Sequence, residues 1–433
     1  MKVNIITLGC SKNTVDSENL AGRLTSNGHA VYFNRQQNDC DTIIINTCGF
    51  IGDAKEESIN TILNQIAIKT RGRKARRIIA CGCLVERYKE ELQAEMPEVD
   101  AWYGVHEWQQ IADDLKEPKD RKDPSSTLSR QLSTPKHYAY LKIAEGCNRS
   151  CSYCAIPLIR GAHQSRPIEE LVAEAKQLVA NGVKEIIVIS QDTTYYGLDI
   201  YKRRALGELL ERLANESGAE WIRLHYTYPT SFPEDAIDTI RRHKNICNYI
   251  DIPLQHINSR LLKSMQRGIN REQTLSLLHT FREKLPDVAI RTTLIVGYPG
   301  ESDADFEELK EFVRQARFDR MGCFAYSPEE GTPAYNLGDP IPDEVKQQRV
   351  SELMAIQEEI SLEKNRERIG KTYRCLIDRA EGDYLIGRTE YDSPEVDDEV
   401  LILSRGKQRP KTGEFVDVKI TGAMENDLIG EAK

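Results

Sequence analysis

Residues Glu145 to Arg160 read EGCNRSCSYCAIPLIR, and the three cysteines in that stretch, Cys147, Cys151 and Cys154, decide the fold around them. They follow directly on an apolar run, Tyr138 to Ile143, that reads as a strand. Thiolates hold iron-sulfur clusters, and a cube of four irons held by three cysteines keeps one iron open to an outside ligand. A structural zinc site is the competing reading, but zinc prefers four protein ligands, and no fourth Cys or His follows at a usual spacing. A ligand loop placed directly after a strand belongs at the C-terminal mouth of a barrel of alternating strands and helices, where such folds place their chemistry.

Working outward, the pattern of strand followed by amphipathic helix recurs. Strands are expected at Tyr138 to Ile143, Glu185 to Ser190, Trp221 to Tyr226, Tyr249 to Leu254, Ala289 to Val296 and Arg320 to Tyr326, with helical stretches such as Ile168 to Val179 and Asp305 to Ala316 between them. Six such units make an incomplete barrel rather than the closed eight. A long amphipathic stretch from Asp343 to Ile369 stops at Gly370. Beyond it, short β-rich segments spaced by Gly, Asp and Pro predict a small antiparallel β-barrel over 370–433. On the other side, residues 116–136 are polar, with three prolines, and read as a linker. Residues 1–115 alternate strands (Val3 to Leu8, Thr42 to Asn46, Arg77 to Ala80) with helices (Val15 to Leu24, Lys55 to Ile68), the order of a parallel-sheet α/β domain. The expected domains are thus 1–115, 137–369 and 370–433.

The first domain carries a second group of cysteines. Cys10, Cys48 and Cys83 each lie just past the end of an expected strand, and in a parallel sheet those ends share one edge, where ligands converge. Burial of a small hydrophobic side chain would explain any one of them; three at equivalent positions point to a second three-thiolate site. Cys81 competes with Cys83, since residues two apart share a strand face. The Gly82-Cys83 pair matches Gly9-Cys10, which favours Cys83. Cys40, Cys247, Cys323 and Cys375 follow no such pattern and are expected to pack.

Eleven cysteines in a 433-residue chain argue against a disulfide framework and for metal ligation plus buried thiols. Hydrophobic residues at 39% and charged residues at 29% describe a globular protein with no run apolar enough to cross a bilayer. Met1 to Leu8 reads as a strand rather than a leader, so a cytoplasmic protein is expected. A net charge of −9 gives no general affinity for nucleic acid.

The cysteine spacing, with Tyr153 directly before the last cysteine, resembles the signature of the radical S-adenosylmethionine (SAM) enzymes. In these, SAM chelates the open iron and an electron cleaves it to a 5'-deoxyadenosyl radical that abstracts a substrate hydrogen. The resemblance implies that Tyr153, Gln191 at the end of the second strand, and the turn at Gly297 line the SAM site. Read from the residues alone, Gly297 to Glu301 is equally an ordinary strand-to-helix turn, and Gln191 and Asp192 a helix cap.

With the three-cysteine N-terminal domain and the β-rich tail, the resemblance extends over essentially the whole chain, to the methylthiotransferase family, whose tail is a TRAM-like domain. The phrases TLGCSKNTVDSE (7–18), NTCGFI (46–51) and 145–160 are similar to the branch that modifies an aspartate of small-subunit ribosomal protein S-twelve. The branch that modifies tRNA adenosine typically has Gln-Met at Ser11-Lys12 and Val-Arg at Phe50-Ile51. The resemblance implies two 4Fe-4S clusters, one held by Cys10, Cys48 and Cys83, the other by Cys147, Cys151 and Cys154. It also implies SAM as methyl and radical source, and an electron donor such as flavodoxin or ferredoxin. His163, His225 and His256 are then structural or substrate-lining.

Charge separates the substrate classes. Residues 370–433 hold 10 Lys or Arg and 14 Asp or Glu, six of the acids within 390–399. Such a tail suits a basic ribosomal protein better than phosphates, so direct nucleic-acid binding is not expected, and Asp397, Asp398 and Glu399 are expected to face the partner. A run of six basic residues from Lys69 to Arg77 keeps the tRNA alternative in view. A two-cluster electron carrier is disfavoured, because carriers close their clusters with four ligands.

Overall fold

The structure, a computed structural model, describes residues 1–36, 39–72, 76–116, 130–403 and 409–433. Of the expected linker, 117–129 lie outside the described residues, as do 73–75 of the basic run.

The N-terminal layer runs β1 (Lys2–Thr7), α1 (Ser11–Ser26), β2 (Ala30–Phe33), β3 (Thr42–Thr47), α2 (Gly52–Arg71), β4 (Arg77–Gly82), α3 (Cys83–Glu95), β5 (Ala101–Tyr103) and α4 (Trp108–Asp114). The five strands form one sheet in the order β2-β1-β3-β4-β5, all parallel. Strand β3, TIIINT, is buried along its whole length, as a central strand covered by helices on both faces must be. The order reverses between β1 and β3, and in open α/β sheets ligands bind outside the strand ends at that switch point.

The middle layer runs β6 (Tyr138–Lys142), the short pair β7 (Ala144–Glu145) and β8 (Gln164–Ser165), with α5 (Ile156–Arg160) between them. It continues with α6 (Ile168–Ala180), β9 (Glu185–Ile189), α7 (Leu206–Glu216), β10 (Trp221–Leu224), α8 (Glu234–Arg242), β11 (Tyr249–Asp251), α9 (Ser259–Ser264), α10 (Arg271–Lys284), β12 (Ala289–Val296), α11 (Asp303–Ala316) and β13 (Arg320–Ala325). Its six long strands are the six expected ones, paired in parallel as β10-β9-β6 and β11-β12-β13. Ile222 N donating to Asn245 O at 2.7 Å and Cys247 N donating to Ile222 O at 2.9 Å join the two halves. Among the described residues β6 and β13 do not pair, so the barrel stays open on that side. Ala139, Leu141, Ile186 and Val188 point outward into the large core beneath the helices. The inward positions of the lower barrel are polar: Glu185, Arg223, Asp251 and Arg320 are all buried there.

Helix α12 (Asp343–Arg366) leads to β14 (Thr372–Glu381), β15 (Tyr384–Arg388), β16 (Glu399–Leu403), β17 (Phe415–Ala423) and β18 (Asp427–Ala432), a closed barrel ordered β14-β15-β16-β18-β17. The small barrel is present, but it is not wholly antiparallel: β16 and β18 pair in parallel. Alternating directions cannot close a ring of five strands, so one neighbouring pair must run the same way.

Two of the three acids of the expected docking face, Asp397 and Asp398, have buried side chains. The connection 389–398 enters the N-terminal end of the middle barrel. Tyr138 and Tyr140 donate to Glu395 at 2.9 and 3.0 Å, Tyr249 donates to Asp397 at 2.6 Å, and Arg223 donates to Glu390 O at 2.7 Å. Arg320 pairs with Asp392 and Asp398, and Arg291 with Asp397. Asp397 and Asp398 are therefore counter-charges to barrel arginines, and Glu399 pairs with Arg379. A polar barrel interior needs partners for its buried charges, and this acidic segment provides them.

Candidate active site

Each N-terminal cysteine stands at a strand-to-helix turn. Cys10 is the residue before α1, Cys83 opens α3, and Cys48 follows β3. The first two therefore sit at helix N-termini, where the backbone dipole favours a thiolate. Glycine permits the convergence. A Cβ on Gly9, whose φ is +86°, would lie 2.7 Å from Cys48 Cβ and 2.8 Å from its Sγ, and one on Gly49 would lie 2.7 Å from Leu84 N. Asn13 ties the loops together, its Nδ2 donating to Leu8 O at 2.8 Å and to Thr47 O at 3.1 Å. The structure thus brings Cys10, Cys48 and Cys83 to one edge. Cys81 stays within β4, fully buried, its thiol directed at Ile45 O at 3.5 Å.

The second trio lies on the loop between β7 and α5. Arg267 donates to Cys151 Sγ at 3.3 Å and to Tyr153 OH at 3.2 Å, and the Tyr228 hydroxyl lies 3.4 Å from the same sulfur. Burial would raise the Cys151 thiol, but the Arg267 guanidinium overcomes it and holds the group below its ordinary value. Cys154, without such a donor, is pushed up to about 12 by burial, and burial takes Cys83 to about 12 as well, there against the pull of Arg160. A bound metal would deprotonate such thiols outright.

The two trios adjoin. Cys83 packs with Val105, Ala155 and Ile159, so the residue directly after Cys154 lies against it. Arg160, at the end of α5, donates to Cys83 Sγ at 3.3 Å, to Asn13 Oδ1 at 2.6 Å and to Asp16 at 2.7 Å. It also pairs with Glu145, which Lys142 shares, and Lys142 reaches Asp16. Against a burial that would raise it, Lys142 and Arg160 hold the Glu145 carboxyl down to about 2. This balanced set of two acids and two bases is the seam between the layers. A cavity of about 350 Å³ opens beside it, lined by Asp16, Lys142 and Glu145 among others.

Gln191 donates to Glu145 at 2.6 Å, while its Oε1 and the neighbouring Ser190 hydroxyl are buried without a partner, leaving polar capacity at the strand end. Asp192 caps the short turn after β9 by accepting from Thr194 N at 2.9 Å, and it pairs with Arg149. Gly297 has a packing reason for being glycine: φ is +75° and its Cα faces the Lys346 side chain, while its N–H donates to Glu301 at 2.9 Å.

The three histidines are buried and hydrogen-bonded. His225 Nε2 meets Ser393 Oγ at 2.8 Å, His256 Nδ1 accepts from Ile257 N at 2.9 Å, and burial pushes both rings down to about 3. His163 contacts Ser165 at 3.1 Å. Asn13, Asp16, Arg160 and Arg267 went unassigned in the sequence. The one available signal was that Asn13 and Asp16 are three apart on a helix, hence on one face.

Among the described residues no three Cys, His, Asp or Glu side chains stand where they could hold a single metal ion. A cube does not require such a grouping, since its ligands bind different irons.

Three family profiles match the chain: the Radical SAM superfamily over residues 141–313, the Uncharacterized protein family UPF0004 over 2–104, and the TRAM domain over 369–432. The chain is 55% identical over 433 residues to a protein of Flavobacterium johnsoniae named ribosomal protein uS12 methylthiotransferase RimO, covering 99% of this chain and 98% of that one. A protein of the same name from Phocaeicola vulgatus is 53% identical, with 98% of each covered. Among solved structures, the radical SAM methyltransferase TsrM from Kitasatospora setae superposes with a TM-score of 0.56 at 13% identity, covering 88% of this chain and 79% of that one. The cobalamin-dependent radical SAM enzyme OxsB gives 0.52 at 12% identity, over 81% and 56%. At those identities the likeness is one of fold.

Proposed function

Since the chain belongs to the family of ribosomal protein uS12 methylthiotransferases, we infer that it adds a methylthio group to the β-carbon of an aspartate in that ribosomal protein. The observation that carries this reading is the adjacency of the two trios: Cys83 shares one buried cluster with Ala155, the residue after Cys154, and Arg160, on the helix that follows the second trio, donates to Cys83 Sγ. Cys10, Cys48 and Cys83 are assigned to one 4Fe-4S cluster, and Cys147, Cys151 and Cys154 to the other. Tyr153 and the buried Gln191 and Ser190 oxygens line the SAM side, with Gly297 shaping the strand end. When bound there, the clusters and SAM supply a hydrogen-abstracting radical and the methylthio group.

The chain's own residues do the remaining work. Arg160 and Arg267 each donate to a cluster-ligand sulfur, which lowers its negative charge as hydrogen bonds to cluster sulfurs do. Asp16 and Glu145, which Lys142 also pairs, fix Arg160 beside Cys83. Hydrogen abstraction needs no protein base, and His225 and His256, pushed down to about 3 by burial, would be weak ones. The electron comes from a flavodoxin- or ferredoxin-like donor, the partner is a protein rather than a nucleic acid, and the setting is cytoplasmic; no described helix is long and apolar enough to cross a membrane.

With SAM and a reductant, Cys151→Ala should form no 5'-deoxyadenosine. Cys48→Ala should still form it, but leave uS12 unmodified. Loss of 5'-deoxyadenosine in Cys48→Ala would overturn this division of labour.

A further inference from the structure

Buried cations along the seam between the layers are paired. Lys142 and Arg160 meet Asp16, Arg130 meets Glu18, and Arg149 meets Asp192. Lys12 differs. It lies on the first turn of α1, two residues beyond Cys10, and is 7% exposed. Among the described residues its ammonium has no hydrogen-bond or ion-pair partner; it stands over the ring of Tyr226. The residue's small exposure reaches the nitrogen itself, which is not among the fully buried unpartnered atoms, so the ammonium keeps a side open to an incoming anion. A ring face is a weaker partner for an ammonium than a carboxylate.

The ring beneath Lys12 is held firmly. Tyr226 takes a left-handed φ of 55°, a conformation that costs a bulky residue energy and marks a constrained position. Its N–H donates to Asp251 at 2.9 Å, its carbonyl accepts from Thr193 N at 3.0 Å, and its hydroxyl meets Ser11 Oγ at 3.3 Å. Tyr226 follows β10 at the C-terminal rim of the barrel. Its ring joins an apolar group in which Val15, from the same helix as Lys12, packs on the inward residues Tyr140 and Ile189. Lys12 is thus a fixed positive charge where the first-layer cysteines meet the barrel mouth.

We propose that Lys12 binds the side-chain carboxylate of the target aspartate, with Tyr226 as the wall that aims the ammonium. The inference rests on the substrate reading above. It supplies what that reading lacks, the group that recognises an aspartate. The carboxylate carbon is bonded directly to the β-carbon, so holding the carboxylate leaves the reacting carbon one bond away and fixes which hydrogen faces the radical. It also rejects asparagine, whose neutral amide would leave the ammonium unpaired.

The test is the binding of labelled uS12, with its target aspartate intact or changed to asparagine, to the full-length iron-reconstituted enzyme. Wild type should prefer the aspartate form by about tenfold or more, the range of a hydrogen bond to a charged group. Lys12→Met should bind both forms alike, and Lys12→Arg should recover part of the preference. If circular dichroism shows Lys12→Met unfolded, Lys12→Gln carries the same test. Undiminished preference in a folded, uncharged variant would overturn the proposal, as would a wild type that binds both forms equally. A wild type that binds neither form would instead overturn the substrate reading.

Discussion

The Cys83 thiol lies past the last residue of β4, where α3 begins, and it faces Arg160 and Asn13. Two positions back, Cys81 points into the packed sheet. Reconstituted wild type should therefore hold about eight irons per chain, by the stoichiometry of two cubes. Cys83→Ala should hold about four and Cys81→Ala about eight. Iron and sulfide assays decide it, and eight irons in Cys83→Ala would transfer the ligand role to Cys81. The sequence let this choice be made because strand ends in a parallel sheet share an edge, so three separate Gly-Cys or Thr-Cys turns could be superposed without coordinates. Arg160, Asp16 and Lys12 were not legible in the same way. Their roles depend on partners in another layer, far away in sequence, on faces that helix period alone cannot match across layers.

Among the elements, the connection 389–398 departs furthest from expectation. Its acids read as a surface for a basic partner, yet they fill the floor of the barrel, because six acids in ten residues do not reveal whether water or arginine faces them. Asp398 carries a testable consequence. Burial, against the pull of Arg320, raises its carboxyl to about 7 from an ordinary 3.8. Between those values the folded chain holds a proton that the unfolded chain has released, so stability falls as pH rises through the window. Asp398→Asn removes the titration and keeps an acceptor for Asn365. Its Tm should exceed that of wild type at pH 8 and match it near pH 4, and an equal difference at both pH values would contradict the assignment. Removing the whole C-terminal domain should do more. Without residues 370–433, buried Arg223, Arg291 and Arg320 lose partners and Glu185 loses Arg388, and stripping a buried charge of its partner costs about 3–5 kcal/mol. The shortened chain should fail to give a cooperative thermal transition. A chain that melts like wild type would show the floor to be dispensable.

At the scale of the molecule, three layers meet around one barrel. The first covers its C-terminal mouth through Asp16 and Lys12, and the third closes its N-terminal end through 389–398. Chemistry gathers at the mouth, as the strand directions require, and the opposite end serves stability. The order of layers and the six barrel strands were legible because periodicity and turn residues are local. The sites where layers touch were not, because contact is a property of the assembled fold. The central claim is that this assembly acts on a ribosomal aspartate, and the most direct measurement is mass spectrometry after turnover. Reconstituted enzyme, SAM and reductant are incubated with small ribosomal subunits and, separately, with unmodified tRNA. The account predicts one methylthio group on an aspartate-containing peptide of uS12 and none on tRNA. Methylthiolated adenosine in the tRNA, with uS12 untouched, would contradict it.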